Sequence, residues 1–186
     1  MQEKENVLRI FQETKEAIAK GDVAKIKSLS NQTTNTASLT HDPDNIAVAV
    51  IVYSLSKILE REDYRKLPGW NNFYNTYIGA IDKIHVALQK NDEKTFRQNI
   101  ELIRNAINKL SGKLKGYIQD VFRNASINKA SRIYEHGISM EKTSKLLGVS
   151  QFELADYAGR GKIHDTPEVR TVNVRSRIKL VTDMFS

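Results

Sequence analysis

Through its first 110 residues this chain brings an apolar side chain back every three or four positions, a period that suits helices and little else. Val7, Ile10, Phe11, Thr14, Ala17 and Ile18 make the first such stripe, and Gly21-Asp22 closes that helix and opens the next. Val23, Ile26, Leu29, Ala37 and Leu39 carry a second element through Ser28 to Thr40, a stretch dominated by Ser, Thr and Asn. Such side chains compete for backbone hydrogen bonds, so the expectation is a helix that is bent, broken or set against a polar partner. His41-Asp42-Pro43-Asp44 reads as a turn and a helix start, capped by Asp42 or Asp44. Asn45 to Leu59 is the most apolar stretch, too short at 15 residues to span a bilayer and too uniformly apolar for a surface helix. It is expected to be the buried centre of a bundle. The β-branched run Val48 to Val52 would also suit a buried strand, but its flanks lack the alternation and turn signals of a sheet.

Leu67-Pro68-Gly69 is the next break. Trp70, Phe73, Tyr77, Ile81, Ile84 and Leu88 then mark an amphipathic helix up to Asn91-Asp92, and Phe96, Ile100, Ile103, Ile107 and Leu110 mark another. Gly112 and Gly116 are expected to interrupt that helix before Ile118 and Phe122. The whole reads as an all-α protein: an N-terminal antiparallel helical bundle (residues 1–122), a helix-turn-helix (123–162) and a short C-terminal strand and helix tail (163–186).

Composition bounds the function classes. With 3 Pro and 9 Gly in 186 residues, collagen-like and low-complexity chains are excluded. The absence of Cys removes disulfides, thiolate zinc sites and cysteine nucleophiles together. No apolar run reaches the roughly 20 residues of a membrane helix, and the charged N-terminus is unlike a signal peptide, so a soluble, cytoplasmic protein is expected. The net charge of +7 is uneven: residues 1–110 hold 16 basic and 14 acidic side chains, residues 111–186 hold 13 and 8. A phosphate backbone or an acidic partner would therefore be drawn to the later segment.

That segment also carries the most informative motif, SINKASRIYEHGISMEKTSKLLGVSQFELADYAGR over residues 126–160. Two short helical stretches flank Gly148-Val149-Ser150. A helix-turn-helix needs a small residue where its helices cross, a left-handed glycine, an apolar plug, an N-cap and an apolar inner face. Ser144, Gly148, Val149, Ser150 and then Leu154 with Tyr157 supply these in order; Leu147 is the expected buried end of the first helix. Upstream, Gly137 ends the preceding helix and Ser139 caps the first of the pair, with Lys142 where a capping box would place an acid. In a DNA-reading pair Ser150, Gln151, Phe152, Ala155 and Asp156 would face the bases, with Lys142, Lys145, Arg160 and Lys162 near phosphates. Glu153 and Asp156 place negative charge on or beside that face, and Phe152 serves equally well as a core residue. Gly159-Arg160-Gly161-Lys162 reads either as a helix end with a turn or as a small anion-binding loop.

The run Tyr134-Glu135-His136-Gly137, then Ser139, Leu147-Gly148-Val149-Ser150 and Phe152-Glu153-Leu154 resembles a group of small prokaryotic antitoxin-like proteins. Their pattern is Tyr-Glu-x-Gly, a Ser-capped helix, Leu-Gly-(Val/Ile/Met)-Ser and an aromatic-Glu-(Leu/Phe) recognition helix. The resemblance covers residues 128–165, and the Arg that often precedes the aromatic is Gln151 here. Residues 1–120 have no counterpart in that pattern. The resemblance implies operator binding by the helix pair and a C-terminal tail that occupies a partner toxin of the PIN ribonuclease type.

Two function classes follow. One is a DNA-binding transcriptional regulator, dimeric through its bundle. The other is a non-catalytic protein-interaction module whose helix pair and tail hold a partner, with Arg175, Ile178, Val181 and Phe185 of the tail as the contacting residues. Arg170 to Val174 alternates like a short strand, and Ser176 to Phe185 reads as an amphipathic helix. No enzyme is expected. His41, His85, His136 and His164 show no metal-ligand spacing, and neither a phosphate loop nor a nucleophile elbow occurs. The Arg132 and His136 pair and the Arg160 and His164 pair are spaced too closely for a helical ribonuclease of the HEPN type. No metal or cofactor is implied.

Overall fold

The structure, a computed structural model, describes residues 3–40 and 42–161; among them every regular element is helical and no strand occurs. The helices are α1 (Lys4–Lys20), α2 (Val23–Thr40), α3 (Pro43–Leu59), α4 (Trp70–Gln89), α5 (Glu93–Asn108), α6 (Gly112–Glu135), α7 (Met140–Leu147) and α8 (Gln151–Gly161), with a 3-10 turn at Glu62–Lys66 between α3 and α4. The expected tail strand at 170–174, the tail helix at 176–185, and with them Arg175, Ile178, Val181 and Phe185, lie outside the described residues.

Three of the bundle helices start at an aspartate that accepts from their orphan N–H groups. Asp42 caps α3 by accepting from Asp44 N–H at 2.9 Å, with Pro43 in the first turn. Asp22 and Asp92 do the same for α2 and α5, accepting from Lys25 N–H and Thr95 N–H, each at 2.9 Å. α3 is the buried centre that its composition predicts: Val48, Ala49, Val52, Leu55 and Ile58 are nearly inaccessible to water. Around it pack α1, α2, α4, α5 and the first half of α6, with Phe11, Tyr77 and Phe96 filling the largest spaces. The Tyr77 hydroxyl donates to the Ile51 carbonyl at 2.8 Å, so the buried phenol leaves no polar atom unpaired.

Two expectations are resolved by the packing. α2 is not broken by its hydroxyl side chains; it is set against polar partners on α3 and α6. Thr33, Thr34 and Ser38 donate to the carbonyls one turn back at 2.9–3.0 Å, and Ser30 donates across to the Ala49 carbonyl of α3 at 2.9 Å. Each buried hydroxyl is satisfied without disturbing the helix ladder. Gly116 does not interrupt a helix either. α5 ends at Asn108, and α6 then runs unbroken for 24 residues from Gly112 to Glu135, past the expected boundary at 122–123. The apolar residues Leu114, Ile118, Val121, Ala125 and Ile133 are all buried along it, and that packing outweighs the roughly 1 kcal/mol of a mid-helix glycine.

α6 is what positions the end of the described chain. Its first half belongs to the main core, while Ile133 near its end joins a second, smaller core with Ala37 of α2, Ile46 of α3 and Ile138. Leu146 and Leu147 of α7 pack against that cluster, so α7 is seated on the bundle by apolar contact.

Candidate nucleic-acid interface

The turn into α7 begins at Gly137, whose φ of +93° is open to glycine and costly for other residues. Ser139 then caps α7, its hydroxyl accepting from Lys142 N–H at 3.3 Å. Nine residues later Gly148 adopts φ +65°, ψ +31°, a left-handed end that turns the chain sharply; the following Val149 N–H returns to the Ser144 carbonyl at 3.1 Å. Ser144, only 5% exposed, lets α7 lie close to its neighbours. Leu147 and Val149 are half-buried at the corner, so the expected burial of Leu147 is only partial.

Ser150 restarts the helix with a reciprocal cap. Its hydroxyl accepts from Glu153 N–H at 3.1 Å, while the Glu153 carboxylate accepts from Ser150 N–H at 3.0 Å and from the Ser150 hydroxyl at 2.7 Å. Arg123 of α6 closes the arrangement, donating from Nε to the same carboxylate at 2.8 Å and from a terminal guanidinium nitrogen as well. The Ser150 hydroxyl above all, then Ser150 N–H and Arg123, hold the Glu153 carboxyl down at about 2. This corrects the expected charge on the reading face: Glu153 is taken up by the cap and by α6. The Ser-x-x-Glu spacing was readable in the sequence; the partner 30 residues upstream was not.

Leu154 is completely buried, and α8 packs chiefly on α6 and α7. Tyr157, still 38% exposed, lies along the same seam and accepts at its hydroxyl from the Asn128 amide of α6 at 2.9 Å. The opposite side of α8 is open. Gln151, Ala155 and Asp156 are exposed, and Phe152 is 83% exposed, so it is not a core residue. Lys142 and Lys145 are exposed on α7, with Lys145 paired to Glu141 at 2.7 Å. α8 continues as helix through Gly159 to Gly161, so an anion-binding loop does not begin within it. The Arg160 side chain and Lys162 lie outside the described residues. Among the described residues no group of His, Asp and Glu gathers to hold a metal ion, and no helix is long and apolar enough to cross a membrane.

Because the cap depends on ionised Glu153, its contribution should be present above the ordinary carboxylate value of 4.5 and lost as pH falls through about 2. Ser150→Ala should remove about 1 kcal/mol from the docking of α8. Amide exchange of residues 151–158 reports it: faster exchange confined to α8 is expected, and unchanged protection would refute the role of the cap.

No protein-family model matches this chain, and neither a curated protein nor a solved structure is similar to it.

Proposed function

We propose that α7 and α8 act as a helix-turn-helix that binds duplex DNA, with α8 lying in the major groove and the chain serving as a transcriptional regulator. The reading rests on one observation: α8 is tied to the bundle by Leu154, Glu153 and Tyr157, while Gln151, Phe152 and Ala155 are exposed on its other side, with Asp156 exposed beside them. Each of those side chains has a base edge it suits. A glutamine amide pairs bidentately with adenine, a phenyl ring packs on a thymine methyl, and an aspartate accepts from a cytosine amino group. Lys142 and Lys145 on the preceding helix supply cations for phosphates. The Lys145–Glu141 pair lies in water and is screened, so a phosphate competes for that lysine readily. By its resemblance the regulator is the antitoxin-like member of a pair whose partner is a PIN-type ribonuclease, and the bundle provides the homodimer contact.

The test is retention of DNA from its own upstream region by the full chain in a gel shift. Binding is expected at low salt and should weaken steeply as salt rises. Lys142→Ala with Lys145→Ala should lower the slope of log affinity against log salt by about two, one for each lost phosphate contact. No retention at low salt would refute the reading.

One feature favours the second reading, a protein-interaction module: an apolar ring as exposed as Phe152 is also what a protein partner would cover. Deleting residues 167–186 should then abolish co-purification of a neighbour-encoded protein and leave any DNA affinity intact.

A further inference from the structure

Where α1 ends, α2 begins, α3 ends and α4 begins, the bundle leaves an open cleft of about 570 Å³. It lies at the opposite end of α2 and α3 from the one on which α7 is seated. A cleft of that volume takes a small organic molecule. Its floor is apolar and its burial unfinished, since Ile18, Val23 and Leu59 are each only half-buried. One wall is the stacked pair of Trp70 and Tyr74, with ring centroids 5.4 Å apart and planes 16° from parallel. Trp70 is 5% exposed, yet its indole N–H meets no acceptor among the described residues, where a buried indole usually has one. That nitrogen is not one of the unpartnered side-chain atoms sealed from water, so it opens on the cleft that the ring lines.

The rim is positive. Lys20, the last residue of α1, and Arg65 of the 3-10 turn both line the cleft, and no carboxylate does. The cleft of similar size beside Gly148 differs, for Asp120 stands there with Arg104 and Arg123. The acids nearest to the two cations in the chain are engaged elsewhere: Asp22 accepts from Lys25 N–H at 2.9 Å, and Asp63 pairs with Lys66 at 3.0 Å. α4 adds to this rim. It starts at Gly69 with no capping side chain and no acid in its first turn, so Asn71 brings an orphan backbone N–H to the cleft. An apolar floor, an aromatic wall with a free donor and a positive rim suit one class of ligand. We infer that this cleft binds a small organic acid with a flat apolar body. The body lies on Ile18, Val23, Leu59 and Tyr74. The anionic head, a carboxylate or a phosphate monoester, meets Lys20, Arg65, the Trp70 indole N–H and the start of α4. A guanidinium fits either head with two parallel bonds. The inference is independent of whether α8 reads DNA.

Trp70 is the only tryptophan in the chain, so its indole N–H gives a single, separate cross-peak in a nitrogen-15 correlation spectrum of the full-length protein. That peak should shift saturably as naphthoate or naphthyl phosphate is added, and the tighter of the two identifies the head group. Neutral naphthamide should bind about 10- to 100-fold more weakly than the better anion. Lys20→Ser with Arg65→Ser should weaken the anion by about 10- to 100-fold and leave naphthamide unchanged, and Lys20→Arg with Arg65→Lys should restore the anion's affinity. Lys94→Ser with Lys145→Ser, which removes the same charge away from the cleft, should alter neither. Lys20 and Arg65 are exposed, so circular-dichroism melts of their double variant should match the parent protein. An indole peak that neither anion moves, naphthamide held as tightly as the acids, or a Lys20 and Arg65 double variant as tight as the parent would each overturn the inference.

Discussion

Lys129→Met should make the protein more stable at pH 7, by about 2–4 kcal/mol in urea unfolding. The native lysine is held at about 7, chiefly because burial strips water from the ammonium and secondly because Arg132 and Lys27 repel it. The unfolded chain keeps the ordinary 10.5. Between those values the unfolded state binds the extra proton, so this residue's drag on stability is fully developed below pH 7 and fades as pH rises towards 10.5. A shift of this size caps the penalty at about 5 kcal/mol, from which must be subtracted the bond that the ammonium donates to Asn31 Oδ1 at 3.1 Å and its contact with the Tyr53 ring at 4.3 Å. The groups around the site are Lys27 and Asn31 of α2, Tyr53, Lys57 and Glu60 of α3, Arg132 of α6 and Tyr157 of α8. The telling quantity is the difference between variant and parent at each pH, which should shrink from pH 7 to pH 10.5. A constant difference, or a variant less stable than the parent at pH 7, would refute the account.

Leu154→Ala and Phe152→Ala should part company although they are neighbours in the chain. Leu154 is wholly buried where α8 meets its supports, and truncating it costs about 2–5 kcal/mol of that packing. Because α8 leans chiefly on α6 and α7, the loss falls on its docking, and the main core from Val7 to Val121 stays folded. Exchange protection should disappear across α8, and duplex affinity should drop 10- to 100-fold as the docked population shrinks. Phe152, with 83% of its surface in water, should change stability by less than about 0.5 kcal/mol when truncated and still weaken duplex binding. If both variants unfold alike, or if neither affects binding, the assignment of inner and outer faces on α8 fails.

The helices were legible because their causes are local. The apolar spacing from Val7 to Leu110 marked α1 to α5, the Asp42-Pro43-Asp44 run announced the start of α3 with Asp42 one of two candidate caps, and Ser139 and Gly148 bracketed α7. The misreadings have local causes as well. Ser, Thr and Asn between 28 and 40 threatened α2 in the abstract, but a hydroxyl with a carbonyl one turn back is satisfied in place. Gly116 looked like a break because propensity alone was weighed, without the burial of Leu114, Ile118 and Val121 around it. At the candidate site, Ser150 was legible as a cap and Phe152 as one of two things. Arg123 carried no motif at all.

The amino-acid order by itself determined which stretches coil, where each coil begins, and that the chain turns sharply at Gly148, since a 3.6-residue period, a capping oxygen and a left-handed glycine act within a few residues of one another. Only the tertiary structure decided what each helix face is spent on. It turned Glu153 from an expected surface charge into a cap shared with Arg123, left Phe152 in water, and sealed Lys129 among α2, α3 and α6. Those outcomes depend on partners from 30 to 98 positions away, and the energy of a charge is set by the water and the carboxylates near it in space.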